Sequence, residues 1–419
     1  MLGSRDAFWA ELGLQYRLRL EVHDGADLSY DEGDTLLAAL QRARVHLDAN
    51  YRDWLRAFVQ LQDSRTLGYG NASFINDGSA DIHQAWVSLR AGSLFSVGAG
   101  RQVLAYGDQR LVGVADWSNV GRTFDALRLR FTYPSGRVDV FGAVFTPHGG
   151  GNLVKGTWFV GAYNATELAG GSIDWDLYAL GLLDSPGAMP PGVVYGSGAD
   201  PATGPERQLA TVGTRLRVAG RGLAAGIEGA LQLGRHHAGY DDASASIGHA
   251  AWALHADLAY EIDVQTRPRI EVAVNHASGN DRDARTWNRF DNLFPTNHSR
   301  YGRMDLLGWS ASLSGSVGFG ISPHRRVSLS VDYWVLARGS RHDGWYSSSG
   351  AELAPPPSPS DPHARELLLG HEVDLGVDVS IGSHARVHGG AGVFVPRGYG
   401  RVRGSDPQLW GYTMLVVDL

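Results

Sequence analysis

A chain of 419 residues with a formal charge of -7 and 43% hydrophobic residues is long enough for one large barrel or roughly two or three soluble domains. The acidic balance argues against a nucleic-acid binder, the lack of cysteine excludes a disulfide framework or thiolate metal site, and no run approaches the ~20 apolar residues of a membrane helix. A mean hydropathy of -0.19 leaves a membrane barrel open, because only alternate residues of a spanning strand face lipid.

The N-terminus, Met1-Leu2-Gly3-Ser4-Arg5-Asp6, has no apolar core and no small-residue cleavage site. The expectation is a mature form carrying a start methionine, or a truncated reading frame. From Leu12 the pattern has a period of two. Leu12, Leu14, Tyr16, Leu18, Leu20 and Val22 share one face, and Gly13, Gln15, Arg17, Arg19 and Glu21 the other. A helix would scatter these, so the segment reads as a strand. Ala43, Val45 and Leu47 alternate with Arg42, Arg44 and His46, and Leu55, Ala57, Val59 and Leu61 with Arg56, Phe58 and Gln60. The same alternation recurs through Val138–Val144, Ile173–Ala179, Trp252–Glu261 and Glu372–Val379. It ends in Leu409–Leu419, where a terminal leucine stands in place of the usual aromatic residue. Several of these runs exceed the ~5–6 residues of a soluble strand and suit the ~9–11 of a tilted spanning one.

Connections alternate between long and short. Long ones fall near 24–34, 63–80, 103–121, 147–153, 184–205, 236–246, 279–303, 339–365 and 396–406. Short ones fall near Asn50, Gly92, Pro134–Gly136, Gly220, Asp263–Thr266, Ser322–His324 and Gly382–His384, with a somewhat longer one near 164–170. This is the rhythm of short periplasmic turns and long extracellular loops. The expected fold is all-β: one transmembrane antiparallel barrel over residues 1–419, about eighteen strands, both termini periplasmic. The 55 glycines, 12 tryptophans and 16 tyrosines suit tight turns and interfacial aromatic girdles.

Three blocks resemble the bacterial alginate export family. The first runs Gly100-Arg101-Gln102, Tyr106-Gly107-Asp108-Gln109-Arg110-Leu111-Val112-Gly113, Asp116-Trp117-Ser118-Asn119 and Gly121-Arg122-Thr123-Phe124-Asp125 to Phe131. The second is Phe290-Asp291-Asn292-Leu293-Phe294-Pro295-Thr296-Asn297-His298 with Tyr301, Gly302 and Asp305. The third is Gly370-His371-Glu372-Val373-Asp374-Leu375, then Gly389-Gly390 and Phe394-Val395-Pro396. The resemblance implies an eighteen-stranded outer-membrane channel of a Gram-negative bacterium that passively exports an anionic, alginate-like polyuronate. It also implies that Arg101 and Arg386 stand at an arginine-rich constriction. His388 replaces an arginine of the best-known member, which lowers fixed positive charge above the imidazole pKa of ~6.5. That member's long periplasmic plug is here only Gly382-Ser383-His384.

Lys155 is the single lysine, so nearly all positive charge is arginine, whose planar fork matches carboxylates. Read by parity, the inward arginines are Arg17, Arg19, Arg42, Arg44, Arg56, Arg90, Arg128, Arg130, Arg215, Arg217 and Arg386; Arg101 shares the parity of apolar Phe95, Val97 and Ala99. Inward acids include Asp174, Asp176, Glu228, Asp257, Glu261, Glu372, Asp374 and Asp378. Arg110, Arg122 and Asp125, from the first block, complete the candidate pore lining with His388. Barrel closure would bring the basic first third against the acidic last third. Small inward residues (Ser310, Ser312, Ser314, Ser316, Gly390, Gly392) suggest open volume, and loop 103–121 or loop 63–80 is expected to fold into the lumen and narrow it, since the block Tyr106–Arg122 is charged and aromatic.

The alternative reading is a general or anion-selective diffusion porin for small solutes. A lipase-like enzyme would need a hydroxyl nucleophile beside a histidine on the lipid face, where the residues are almost wholly apolar. Neither an enzyme nor a cofactor or metal is therefore expected. The acidic cluster Asp24, Asp27, Asp31, Glu32 and Asp34 reads as a solvated loop, since its spacing is not an EF-hand. His236-His237 reads as surface, and Pro355–Pro362 as a stiff extracellular loop. Expected partners are outer-membrane lipid, an anionic polysaccharide and periplasmic polysaccharide-delivery proteins.

Overall fold

The computed structural model describes residues 7–24, 35–68, 78–145, 157–184, 207–237, 246–281, 285–296, 298 and 300–419. Long alternating runs have become eighteen strands: β1 (Phe8–Asp24), β2 (Leu36–Tyr51), β3 (Leu55–Leu67), β4 (Gly78–Ala91), β5 (Phe95–Gln102), β6 (Phe124–Tyr133), β7 (Gly136–Phe145), β8 (Thr157–Leu168) and β9 (Ile173–Asp184). The second half holds β10 (Arg207–Gly220), β11 (Leu223–His237), β12 (Ser246–Glu261), β13 (Arg269–Ala277), β14 (Ser312–His324), β15 (Val327–Arg338), β16 (Leu368–Ile381), β17 (Ala385–Pro396) and β18 (Gln408–Asp418). Each pairs antiparallel with its sequence neighbours, and β1 closes on β18 in the register Gln15↔Asp418 to Asp24↔Leu409. Closure leaves no free sheet edge, so every strand's backbone polar groups can be satisfied within the wall, as lipid requires.

The outer face is the expected greasy one. Leu12, Leu14, Leu20 and Val22 of β1, and Val373, Leu375 and Val377 of β16, are exposed outward. Their alternation partners Arg17, Arg19, Glu21, Glu372 and Asp374 are buried inside. Connections are short at one rim and long at the other. The turn expected near 164–170 is tighter and later: β8 runs to Leu168, and a single 3-10 turn at Ala169–Gly171 leads into β9. The sequence placed it early because Asn164 and Thr166 look like turn residues, whereas both belong to β8, on the same face as outward Trp158 and Val160, where the Tyr133 hydroxyl bonds both.

Two long connections, 103–123 and 285–311, turn into the lumen, and this decides the interior. Leu104, Leu111, Val112, Phe290, Leu293 and Phe294 from these loops are almost fully buried. They pack with inward Phe124, Phe141, Phe159, Leu180, Leu182 and Leu209 of the wall. The barrel therefore contains an apolar core where a soluble protein would have one, and its lipid face is apolar as well. The small inward residues also have occupants. A Cβ on Gly392 would meet Met304, one on Gly390 would meet Tyr412, and Ser314 accepts a bond from Asn275. They make room for loop and wall side chains, except that Ser316 borders a cavity described below.

Candidate functional site

The basic wall of β1 and β2 holds loop 103–123. Arg17 donates to the carbonyls of Asp116 (2.6 Å) and Ser118 (3.0 Å) and to Asn119 Oδ1 (3.1 Å). Arg19 donates to the Trp117 carbonyl at 2.5 Å, and its guanidinium lies 3.8 Å from the centre of that indole. Arg42 and Arg44 both reach Asp116 Oδ1 at 2.9 Å. From β3, Gln62 and Ser64 donate to the carbonyls of Val120 and Asn119. Burial alone would raise the Asp116 carboxyl, but Arg42 and Arg44 outweigh it and hold it at about 2. Four inward arginines are thus engaged by one loop, because carbonyls and a carboxylate are the acceptors a guanidinium fork fits.

The acidic wall holds the other loop through the opposite chemistry. Glu372 and Asp374, adjacent inward positions of β16, accept the backbone N–H groups of Met304 and Arg303, both at 3.0 Å. Gly302 lies against the Glu372 carboxylate at φ +107, where a side chain would have no room. The loops then grip each other. Gly113 N–H donates to the Phe294 carbonyl (2.7 Å), Phe294 N–H to that of Leu111 (2.9 Å), and Arg122 to that of Pro295 (2.8 Å). Burial pushes the Arg122 guanidinium down to about 10. The Phe294 ring sits among Phe124, Phe145 and Phe159 with centroids 4.9–5.3 Å away. Trp117 is sandwiched between Arg19 and the stacked ring of His298, 3.6 Å away.

The remaining candidates scatter. Arg101 and Asp125 form an ion pair of 2.9 Å on the outward face, in the parity of Phe95, Val97, Leu127 and Leu129. The β4–β5 and β5–β6 registers run through Arg101 without a shift that would turn it inward. Arg110, on the first loop, reaches Asn275, Tyr301 and His255. Arg130 is paired with Asp139 at 2.6 Å, and Arg215 with Asp108 and Asp176. Arg386 is half exposed and pairs with Asp418 at 2.7 Å, while His388 pairs with Asp378. Arg90, Arg128, Arg217 and Arg300 make no ion pair among the described residues.

The sequence placed Asp116, Trp117 and Phe294 in the family-like blocks without a role for any of them, and did not name Arg300 or Arg303. The available signal was charged and aromatic residues concentrated inside long connections, where a solvated loop has no use for them. His236, expected at the surface, is buried in the lumen between His249 and Trp287, with ring centroids at 5.1 and 4.7 Å. His236 was misread because β11, which ends at His237, runs further than its apolar face suggests. The acidic cluster near the N-terminus lies mostly in 25–34, outside the described residues.

The family model described as alginate export matches residues 8–398. No curated protein sequence matches the chain. Among solved structures, Pseudomonas aeruginosa OpdO aligns with a TM-score of 0.61 at 11% identity, covering 98% of this chain and 97% of that one. P. aeruginosa OccK2 (OpdF), solved in complex with glucuronate, aligns at 0.59 and 9%, covering 98% of each chain. The P. aeruginosa outer membrane protein OprD aligns at 0.55 and 11%, covering 98% of this chain and 94% of that one. At such identities the likeness is one of fold.

Proposed function

The chain belongs to the alginate export family, and from that premise we propose that this outer-membrane barrel is a passive channel through which an anionic polysaccharide of the polyuronate kind leaves the cell. The observation that carries the reading is the position of the unpaired inward charge. Arg90 and Arg217 sit within a few residues of the short turns, Arg128 stands mid-strand on β6, and Arg300 borders the same cavity as Arg217. In the long-loop half, by contrast, Arg17, Arg19, Arg42 and Arg44 are occupied by the docked loop. A polymer entering from the short-turn side would therefore meet, among paired charges, guanidiniums that make no ion pair among the described residues. One carboxylate per sugar could exchange between such sites, provided none binds too tightly to release it.

A specific observation favours the second reading, a diffusion porin for small anionic solutes. The cavity under the loops measures about 340 Å³, room for one or two sugar rings rather than a long segment. Single-channel recordings with oligouronates of increasing length separate the two. Export expects block from the short-turn side whose duration grows with chain length, and efflux of long chains from loaded liposomes. The porin reading expects mono- and disaccharides to permeate and longer chains to be excluded. A pore that is cation-selective under every condition would overturn both.

A further inference from the structure

The lipid face of the wall is apolar along most of its length, and its arginines are confined to one end. In outward parity the described strands carry Arg65 on β3, Arg101 on β5 and Arg235 on β11, each close to the strand end that opens into a long connection. Arg397 adds a fourth: it follows Pro396 in extended backbone (φ -141, ψ 162) and continues the outward row Ala391, Val393 and Val395 of β17. Near the short turns the outward positions hold Phe95, Phe131, Leu223, Tyr260, Phe319 and Ile381 and, among the described residues, no arginine. Arg65 and Arg101 are partnered by Asp63 and Asp125, at 2.7 and 2.9 Å. Arg235 and Arg397 make no ion pair among the described residues. The basic residues are densest at the 3-10 turn Gly398–Arg403 between β17 and β18. Its inner residues clamp it to the wall. Gly398, Tyr399 and Gly400 are buried, the Arg338 guanidinium lies 3.6 Å from the Tyr399 ring centre, and the Tyr399 hydroxyl donates to the Pro355 carbonyl. Arg397, Arg401 and Val402 are left exposed, with Arg403 half-buried. These three arginines also make no ion pair among the described residues. Glu366 lies beside Gly398 but is paired with His363 at 3.0 Å, and Asp406 is exposed.

We propose that this rim segment is a docking surface for the phosphorylated headgroup of an outer-leaflet glycolipid of the lipid A kind, with phosphate on Arg397 and Arg401 and the apolar part of the lipid against Val402. Long connections of outer-membrane barrels face outside, so these arginines stand at the leaflet that carries this lipid. The strand faces at the opposite leaflet lack them. Guanidinium forks match phosphate oxygens in pairs, and basic clusters flanking a membrane span recognise anionic headgroups through charge. A solvated loop would account for exposed arginines, but neither for an exposed valine among them nor for the one-sided placement of the outward row. The surface lies outside the lumen, so the inference is independent of what the channel carries.

The test is retention of lipid A by the purified barrel in a neutral detergent, read by native mass spectrometry. Bis-phosphorylated lipid A should stay bound to the natural protein under conditions where its dephosphorylated form and phosphatidylglycerol do not. Arg397→Gln, Arg401→Gln and Arg403→Gln combined should weaken that binding about tenfold or more, as loss of charged hydrogen bonds does. Raised salt should weaken it in the natural protein. Arg325→Gln with Arg326→Gln, exposed in the short turn between β14 and β15, should leave it unchanged. Unaltered open-channel conductance of the variants confirms that they fold. Equal binding of the dephosphorylated form or of phosphatidylglycerol, undiminished affinity in the triple variant, or an equal loss in the short-turn pair would each overturn the proposal. So would an oligouronate that the natural protein binds and the triple variant does not, with lipid A unaffected, since the arginines would then serve the emerging cargo.

Discussion

Phe294 is the point at which the two loops and the wall meet, and replacing it by alanine should release them. The ring is fully buried against Phe124, Phe145 and Phe159, while its backbone bonds Leu111 and Gly113. Truncation of a buried phenylalanine costs about 3–5 kcal/mol, from lost transfer energy and the cavity left behind. The barrel wall does not depend on this residue, so that cost falls on loop docking. At 1.4 kcal/mol per factor of ten, the docked-to-undocked ratio should fall about a hundred- to several-thousand-fold. Hydrogen exchange of the backbone over 104–113 and 290–296 should accelerate accordingly, with the strands unchanged, and single-channel conductance should rise or show larger substates. Full protection of both loops together with unaltered conductance would show that the hydrophobic cage does not hold them, and the account of the lumen given above would be wrong.

Asp116→Asn should loosen the first loop and remove its acid sensitivity. A carboxyl lowered from 3.8 to about 2 contributes stability above its ordinary value and loses it as pH falls through about 2. At ~1.4 kcal/mol per pH unit that is roughly 2 kcal/mol, which screening of a side chain 51% exposed cuts to about 1. Exchange rates over 113–121 between pH 4 and 2 check it. Gly302→Ala should undock 300–308 at a cost of about 1–3 kcal/mol, because its φ of +107 and the Glu372 carboxylate leave no place for a Cβ; exchange there should rise without loss of barrel folding. Leu375→Arg, outward and mid-strand on β16, should cost about 2–4 kcal/mol if it lies at the bilayer midplane, read by urea titration of the vesicle-inserted protein. Arg386→Glu, facing Asp418, should shift reversal potentials towards cations, and no shift would place Arg386 outside the ion path.

The sequence alone determined where the strands run, which face of each meets lipid, how many there are and how they close. Those features follow from a period of two and from the short-long rhythm of turns, both local and both imposed by a wall that has lipid on one side. Glu372 and Asp374 were legible as inward residues for the same reason, as were Arg17, Arg19, Arg42 and Arg44. What those residues grip was not legible. Arg17 finds Asn119 from 102 residues away and Arg42 finds Asp116 from 74. Arg101, placed in the lumen by resemblance, faces outward with Asp125, as the parity of Phe95, Val97 and Ala99 already suggested. His236 is buried because a distant segment, Thr286–Trp287, pairs with β12 beside it. Alternation encodes the side of the wall on which a side chain stands, whereas its partner is chosen by which loop folds back through the lumen, a long-range packing choice that no periodicity along one strand can carry.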